Sequence, residues 1–409
     1  MKSNKFIAGV IILFMSTFYS FGEAHPFKIT DDDYGKILET TLVSTGNNNR
    51  LKKVIDKIKK GEEVHIAAIG GSVTEGAGPA KFTDGYAYQF FRALKAKYAP
   101  GEGKNLYFNN AALSGTPSTL GRIRYESDVI EVSGGNPDLL LVEFAVNDGG
   151  EELYQWGFES LVRDALLASP DTAVIAVYSA ATYGNTMGPK KPVADYYSIP
   201  QINMLEIVNS SIEKKIFTKE QYYSDYVHPT IEGHQMMSDA LMNLVSKVDK
   251  AKLDTPIVVP AKPFKNGLSG LIRINGNDEN VKIKAGGFTS IDPNCQTIKK
   301  TNKSNFPFNW YRKASSSSDP FKMEITCKKL LFTYKVQGSW MSEKFGKASV
   351  LVDGKLVNVY DGGKDGGWNN CETVLLINES VSTKHTVEVR MANGSENKGF
   401  TIVAMGYTK

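Results

Sequence analysis

The first 250 residues alternate between apolar runs of strand length and segments whose apolar residues recur at helical spacing. Residues 64–69, 139–144 and 174–178 are the clearest apolar runs, and residues 106–108 add a shorter one. Continuous apolar runs are typical of strands that are buried on both faces. The alternation therefore predicts an α/β domain of three layers, in which helices cover both faces of a parallel sheet.

Helical spacing of apolar residues predicts most of the segments between these strands. The predicted helices cover residues 51–58, a segment capped by Asp84, a segment from Glu151 onward, residues from about 201 to 216, and residues 237–244. The polar lead-in at residues 25–60 is expected to be partly helical. Residues 183–197, which contain two glycines and two prolines, are expected to form a loop.

Beyond residue 250 the pattern changes. Residues 255–263 contain three prolines and predict an extended linker. After them the helical period disappears, and short β-rich runs such as 330–336 and 400–407 are separated by Gly, Asn, Asp and Ser. This pattern favours an all-β sandwich of the jelly-roll kind. The predicted organisation is an α/β domain at 25–250, a linker at 251–265 and a β-sandwich at 266–409.

The N-terminus has the features of a secretory signal peptide. Residues 1–24 combine basic Lys2 and Lys5 with an apolar run from Phe6 to Phe21 and small residues that suit cleavage before His25. A membrane anchor is the alternative, but the apolar run is short for a span and contains Ser and Thr. No Cys follows the run, which argues against a lipid anchor. We therefore expect a secreted or periplasmic protein with no membrane span after cleavage.

Composition narrows the class of function. A chain of 409 residues has room for two domains, and its net charge of +4 comes from mixed acidic and basic residues. No basic stripe suggests a nucleic-acid partner. Cys295, Cys327 and Cys371 leave two readings open: two of them pair, or all three are buried thiols. No spacing of ligand residues points to a metal, and no cofactor is expected.

Candidate chemistry begins at Ser72, which directly follows the apolar run at 64–69 and a Gly70–Gly71 pair. This is a pattern that presents a nucleophile on a tight turn. The dinucleotide fingerprint, the phosphate-binding loop and the G-x-S-x-G elbow all require spacings that are absent here. The alternative is a strand that merely turns at the two glycines.

Two further candidate positions lie just beyond the ends of strands. A candidate pair lies on a loop before a helix. Gly115 follows the run at 106–108, and Asn147 follows the run at 139–144. Asp225 and His228 precede the predicted helix at 237–244. Functional loops of a parallel sheet gather at the carboxyl ends of its strands, so we expect these residues to meet Ser72 there.

Taken together, the four pieces resemble the SGNH (GDSL-type) hydrolase family, in its order and spacing, over roughly residues 60–245. Gly70-Gly71-Ser72, with Thr74 and Gly76, resembles the first block. Residues 110–115 resemble the glycine block, 146–148 the asparagine block and Asp225-x-x-His228-Pro229 the last block. The first block departs from the family because Gly71 stands where Asp is usual. The resemblance implies a flavodoxin-like fold and an esterase.

In that family's chemistry Ser72 is the nucleophile, His228 its base and Asp225 the residue that orients the imidazole. The resemblance further implies an oxyanion hole made by the N–H groups of Ser72 and Gly115 and the amide of Asn147. Each residue also has an ordinary structural reading: a loop histidine, two turn formers and a backbone bend. His234 and His65 are expected to be structural.

The expected substrate is an acyl ester, and the absence of a long apolar lid favours a small acyl group such as acetyl. A secreted domain of this kind with an appended β-sandwich resembles carbohydrate acetylesterases. Trp310, Trp340 and Trp368 are candidate sugar-stacking residues, Trp368 above all, although each also fits a core position. The alternatives are a lipase, lysophospholipase or thioesterase, and a glycan-binding protein without activity.

Overall fold

The structure, a computed structural model, describes residues 26–265, 267–274, 278, 281–295, 297–298, 303–304 and 306–409. The predicted signal peptide at 1–24 lies outside the described residues. Within the described ranges, no helix is both long enough and apolar enough to cross a bilayer.

The N-terminal domain is built on a six-stranded sheet. Five strands are parallel and run in the order β6-β5-β4-β2-β3, while β1 adds to β6 in the antiparallel sense. The strands are β1 (Leu42–Ser44), β2 (Val64–Gly70), β3 (Leu106–Asn110), β4 (Leu139–Glu143), β5 (Ala173–Tyr178) and β6 (Gln201–Asn203). The predicted parallel sheet is confirmed, with one antiparallel strand at its edge.

Helices cover both faces of this sheet. They are α1 (Asp31–Thr41), α2 (Asn49–Lys60), α3 (Ser72–Glu75), α4 (Tyr86–Tyr98), α5 (Ser118–Ile123), α6 (Glu131–Ser133), α7 (Glu152–Ala168), α8 (Met187–Tyr196), α9 (Leu205–Glu213), α10 (Lys219–Tyr222) and α11 (Ile231–Lys250). Ile66 and Ala68 of β2 face the core beneath α2, α4 and α11, whereas Ala67 and Ile69 face the core beneath α7. This alternation confirms the three-layer α/β fold.

Three local predictions were wrong. The helix expected from residue 201 begins later, because Gln201–Asn203 pair with β5 as strand β6 and only Leu205–Glu213 are helical. The loop expected at 183–197 contains helix α8, whose first turn accommodates Pro189 because N–H groups there have no helical partner. The cap of α4 is Gly85, since Asp84 ends a short 3-10 turn.

The C-terminal domain is all β. Its strands are β7 (Ile272–Ile274), β8 (Val281–Lys284), β9 (Thr297–Ile298), β10 (Lys303–Ser304), β11 (Trp310–Arg312), β12 (Phe321–Gln337), β13 (Lys347–Val352), β14 (Lys355–Asp361), β15 (Trp368–Met391) and β16 (Phe400–Thr408). Eight of them form one continuous antiparallel sheet. The long strands β12 and β15 pair along their length and pass from one half of the sheet to the other. The halves pack face to face, as in the contact of Tyr334 with Tyr360 at 5.3 Å between ring centroids.

Residues 251–265 contain no helix or strand and follow the surface of the α/β domain. Arg163 of α7 donates hydrogen bonds to the carbonyls of Pro260 at 2.7 Å and Ala261 at 2.8 Å. The backbone N–H of Asn48 donates to Asp254 Oδ2 at 2.8 Å, and the backbone N–H of Asp254 donates to Asn48 Oδ1 at 2.9 Å. Side chains of the first domain therefore hold this extended segment in place.

The two domains share an apolar core. Leu113, Leu120, Ile123 and Trp156 of the α/β domain pack with Leu331, Val403 and other residues of the β domain. Beside this cluster the buried Arg122 donates a hydrogen bond to the carbonyl of Leu271 at 3.0 Å. Strand β16 is consequently buried on both faces, one within its own domain and one against the other domain.

The three cysteines are free and buried. The reading in which two of them pair is therefore wrong for this structure, and the reading with three buried thiols holds. Burial raises the pKa of Cys327 to about 11, so that thiol is protonated at neutral pH.

Candidate active site

Ser72 lies at the carboxyl end of β2, as the first residue of the short helix α3. Glycine precedes it at position 71, where an added Cβ would overlap the side-chain amide of Asn147 as that amide stands in this structure. Close approach of the backbone to Asn147 thus explains the second glycine of the pair. The serine is largely buried.

A chain of hydrogen bonds joins the three residues predicted to act together. His228 Nε2 lies 2.9 Å from Ser72 Oγ, and His228 Nδ1 lies 2.6 Å from Asp225 Oδ2. The other carboxylate oxygen of Asp225 accepts the backbone N–H groups of Val227 at 2.7 Å and His228 at 2.8 Å. The carboxylate therefore fixes both the loop and the imidazole ring that it carries.

These contacts determine the charge on Asp225. Partial burial by itself would raise the pKa of Asp225, but the hydrogen bonds from the N–H and ring of His228 and from Val227 outweigh it and hold that pKa below its usual range. Asp225 is therefore ionised at neutral pH. An ionised carboxylate at Nδ1 keeps a proton on that nitrogen and leaves Nε2 free to accept one from Ser72.

Gly115 and Asn147 lie on either side of Ser72 at the same edge of the sheet. Gly115 has a φ of +65°, in the region that favours glycine. Asn110 fastens its loop to the serine turn, since its side chain donates to the carbonyl of Thr74 at 2.9 Å and accepts from the N–H of Ala112 at 3.1 Å. The asparagine and glycine pieces therefore meet at the serine, as expected from their positions after strand ends.

A buried ion pair connects these two pieces. Asp148 accepts the N–H of Ser118 at 2.8 Å, and its other oxygen lies 3.0 Å from Lys190 Nζ, with the two side chains 0% and 1% exposed. Lys190 also donates to Thr186 Oγ1 at 2.7 Å. Asp148 thus ties the residue after Asn147 to the loop after Gly115, and its charge is balanced by a lysine of α8.

A second buried carboxylate lies under the serine turn. Glu143 ends β4 and accepts hydrogen bonds from Thr74 Oγ1 at 3.0 Å, Ser179 Oγ at 2.5 Å and the N–H of Ala145 at 2.9 Å. Burial raises the pKa of Glu143, and these donors oppose that shift. The interpretation of residues 139–144 as fully apolar was wrong at this position, because the network compensates for the buried charge.

His234 has the structural role expected of it. It is fully buried, accepts the N–H of Tyr86 at Nδ1 at 3.1 Å and has Nε2 3.0 Å from the carbonyl of Ala77. Burial is the main cause that lowers the pKa of His234 to about 4. The histidine is therefore neutral in the folded protein at pH 5 to 7.

Acid is expected to weaken the fold through this histidine. The folded pKa of about 4 lies below the ordinary 6.5, so the unfolded state binds the extra proton between these values. Unfolding free energy attributable to His234 should fall by about 2–3 kcal/mol between pH 7 and pH 4.5. Urea unfolding at both pH values checks this, with His234→Gln as the variant that cannot titrate. Equal losses in both proteins would contradict it.

The β domain contributes directly to this edge of the sheet. The ring of Trp368 lies against Gly115, where an added Cβ would come within 2.7 Å of Trp368 Cζ2. Trp368 is 46% exposed and Trp340 is 70% exposed. The two segments are joined by a hydrogen bond from the N–H of Gly338 to the carbonyl of Gly367, the residue before Trp368. Trp310 is not in this group, because its ring packs edge-on against Phe321 at 5.6 Å beside the β-domain core.

Sequence reasoning missed Glu143 and Lys190. A lone carboxylate within a strongly apolar run was the available signal for Glu143, because such a group must be compensated by donors. Nothing in the local sequence signals Lys190, which neighbours another lysine and two prolines. Only its burial against Asp148 distinguishes it.

The fold and this site define a carboxylic ester hydrolase, and comparison with known proteins places it more closely. Residues 68–236 match the model of the GDSL-like Lipase/Acylhydrolase family, a segment that contains Ser72, Gly115, Asn147, Asp225 and His228. The predicted resemblance to this family is therefore confirmed by the family model and by the solved structures described next. No curated protein matches the sequence at a significant level.

The likeness to solved structures extends over both domains. The crystal structure of a two-domain esterase (CEX) active on acetylated mannans, co-crystallized with mannopentaose, is 25% identical, with a TM-score of 0.77 over 91% of this chain and 98% of that chain. A second crystal structure of that kind of esterase is 25% identical, with a TM-score of 0.76 over 91% and 99% of the two chains. The arrangement of an α/β hydrolase domain followed by a β domain is therefore shared.

Proposed function

We propose that this protein is a secreted acetylesterase that removes O-acetyl groups from carbohydrate, with Ser72 as its nucleophile. The observation that carries the proposal is the chain of hydrogen bonds from Ser72 through His228 to Asp225. Gly115 and Asn147 lie on either side of Ser72. Similarity to an esterase active on acetylated mannans supports the choice of substrate class.

The distances between Ser72, His228 and Asp225 suit the transfer of an acetyl group from the sugar to the serine. His228 Nε2 accepts the Ser72 proton as Oγ attacks the acetyl carbonyl, and the resulting imidazolium is stabilised by ionised Asp225. Backbone N–H groups of Ser72 and Gly115 and the side-chain amide of Asn147 stabilise the oxyanion. His228 then gives the proton to the departing sugar hydroxyl. Water repeats the sequence on the acetyl-enzyme and releases acetate.

The surroundings of Gly115 favour a small acyl group. The ring of Trp368 contacts this glycine, and the shared core of the two domains lies directly behind the glycine loop. A long acyl chain would have to displace the indole or the packed residues behind it. An acetyl group needs neither change.

The test compares acyl length and polymer in one set of assays. We expect wild-type protein to hydrolyse nitrophenyl acetate faster than the butyrate and octanoate esters, and to release acetate from acetylated mannan or xylan. Ser72→Ala should abolish both activities. Preference for octanoate would indicate a lipase, lysophospholipase or thioesterase. Sugar binding without turnover would indicate a glycan-binding protein.

Asn147→Ala is expected to lower kcat by about 100-fold, because loss of one oxyanion donor raises the barrier by about 3 kcal/mol. The partly exposed side chain should not be needed for folding, so the unfolding midpoint is expected to stay near that of wild type. Initial rates on nitrophenyl acetate measure the effect. Asn136→Ala, on an exposed loop, is the matched control. A change of less than threefold in Asn147→Ala would argue against its role.

Trp368 and Trp340 are proposed to stack on the sugar, since both rings are exposed and the ring of Trp368 lies against Gly115 of the proposed oxyanion hole. Trp368→Ala should lower kcat/KM on acetylated mannan by about fivefold, which corresponds to about 1 kcal/mol of aromatic contact. Trp310→Tyr, which retains a ring against Phe321, serves as the control. Equal kcat/KM values for wild type and Trp368→Ala would show that the indole does not contribute to sugar binding.

Export is part of the proposal, because acetylated polysaccharides lie outside the cell that would use them. The basic and apolar residues of 1–24 support it. Mass measurement of protein recovered from the medium or periplasm should give a chain that begins at His25. An intact N-terminus retained in the cytoplasm would contradict export.

A further inference from the structure

Two exposed tyrosine rings flank the proposed base, and no step of the reaction above uses them. Tyr183 follows β5 and is 61% exposed, and Tyr226 lies between Asp225 and His228 and is 65% exposed. Their ring centroids are 6.2 Å apart, with an angle of 43° between the planes. Adjacent exposed aromatic rings beside a reaction centre form a surface that favours contact with a ligand.

Hydrogen bonds hold the ring of Tyr183 and the backbone of Tyr226 in position. The hydroxyl of Tyr183 donates to the carbonyl of Val146, the residue before Asn147, at 3.0 Å. Thr182 donates from its N–H and its hydroxyl to the carbonyl of Tyr226, both at 2.9 Å. The loop after β5 is therefore fastened both to the asparagine turn and to the histidine loop. A side chain anchored like that of Tyr183 loses little further conformational entropy when a ligand binds.

The strand order places this pair opposite the tryptophan. From one side of the sheet to the other, β3, β2, β4 and β5 are adjacent. Strand β3 leads to Gly115, against which Trp368 lies, and β2 leads to Ser72. Strand β4 leads to Asn147, and β5 leads to Tyr183. Because neighbouring strands are about 5 Å apart, the tyrosines lie about 10 Å from the serine strand. This distance leaves room for the reacting group between the two aromatic surfaces.

We propose that Tyr183 and Tyr226 form a subsite for a neutral sugar ring that neighbours the acetylated one. This inference rests on the proposed function and adds a second point of contact for the polysaccharide. The pair presents aromatic faces and no charge, and the Tyr183 hydroxyl is already bonded to Val146. Such a surface suits the C–H face of a pyranose ring. Trp368 and the tyrosine pair would hold the chain on both sides of Ser72.

The test compares a polymer with an ester that has no ring. Tyr226→Ala should lower kcat/KM on acetylated mannan at least about fivefold more than on ethyl acetate. Tyr226→Phe keeps the ring and should behave as wild type. Tyr107→Ala is the matched control, an exposed tyrosine on β3 that stacks on His65. Equal losses on both substrates, or no loss on the mannan, would overturn the proposal, as would a larger loss on nitrophenyl octanoate.

A binding experiment separates this inference from the proposed function. Ser72→Ala protein is titrated with mannopentaose, xylopentaose and cellopentaose in a calorimeter, with and without Tyr226→Ala. Weaker binding of a pentaose by the double variant, by about fivefold, would support the subsite even if wild type releases no acetate. Binding of no pentaose, or binding unaffected by Tyr226→Ala, would overturn the subsite whatever the esterase assays show.

Discussion

His228→Ala is expected to lower kcat on acetyl esters by at least about 10⁴-fold, because Ser72 is a poor nucleophile without a base to take its proton. His228 Nε2 lies 2.9 Å from Ser72 Oγ, and Asp225 holds its other nitrogen at 2.6 Å. Acetate release under saturating substrate measures the loss. A variant that keeps more than a tenth of wild-type kcat would show that another group is the base.

Two comparisons sharpen this result. The double variant Ser72→Ala/His228→Ala should lose no more activity than either single variant, because groups that act as one unit are strongly non-additive. His65→Ala is the matched histidine control, since His65 lies in β2 and is paired with Glu63 at 2.9 Å, away from the carboxyl end of the strand. It should retain wild-type kcat. Additive losses in the double variant would mean that Ser72 and His228 act separately.

Lys190→Met is expected to destabilise the protein by about 3–5 kcal/mol, because it leaves the buried carboxylate of Asp148 without its counter-charge. The two groups are 3.0 Å apart and almost completely buried. Methionine has a similar length and removes only the ammonium. Urea unfolding at neutral pH measures the loss in unfolding free energy.

The next residue provides the control. Lys191 pairs with Asp195 at 2.6 Å, but both side chains are more than 40% exposed, so Lys191→Met should cost less than about 1 kcal/mol. Adding Asp148→Asn to Lys190→Met should recover part of the stability, since asparagine removes the unpaired charge and still accepts the N–H of Ser118. Similar costs for the two lysine variants would contradict the buried pair.

The ion pair also bears on activity. Asp148 joins the residue after Asn147 to the loop of Gly115, so loss of Lys190 should affect catalysis as well as folding. The positions of Gly115 and Asn147, which carry two of the three proposed oxyanion donors, depend on the same contact. We therefore expect Lys190 to act as a positioning residue for the proposed site, although it is far from Ser72 in sequence.

The sequence by itself determined the fold class and the location of the site. Continuous apolar runs predict the parallel strands because burial on both faces requires them, and the loops that follow such strands meet at one edge. Ser72, Gly115 and Asn147 were expected to meet for this reason, and the family resemblance supplied their roles. Asp225 and His228 are three residues apart, so their contact is local. Predictions failed where a short strand such as Gln201–Asn203 had too few residues to show its period.

Only the tertiary structure decided which distant side chains complete the site. Trp368 lies against Gly115 because two domains share a core, and Lys190 balances Asp148 because α8 packs beside the end of β4. The shared core also buries Cys295 and Cys371, whereas packing within the β domain buries Cys327 and sets Trp310 against Phe321. Local patterns report which face of an element is buried, but they do not report which residue from another part of the chain fills the space opposite. That information exists only once the elements have packed together.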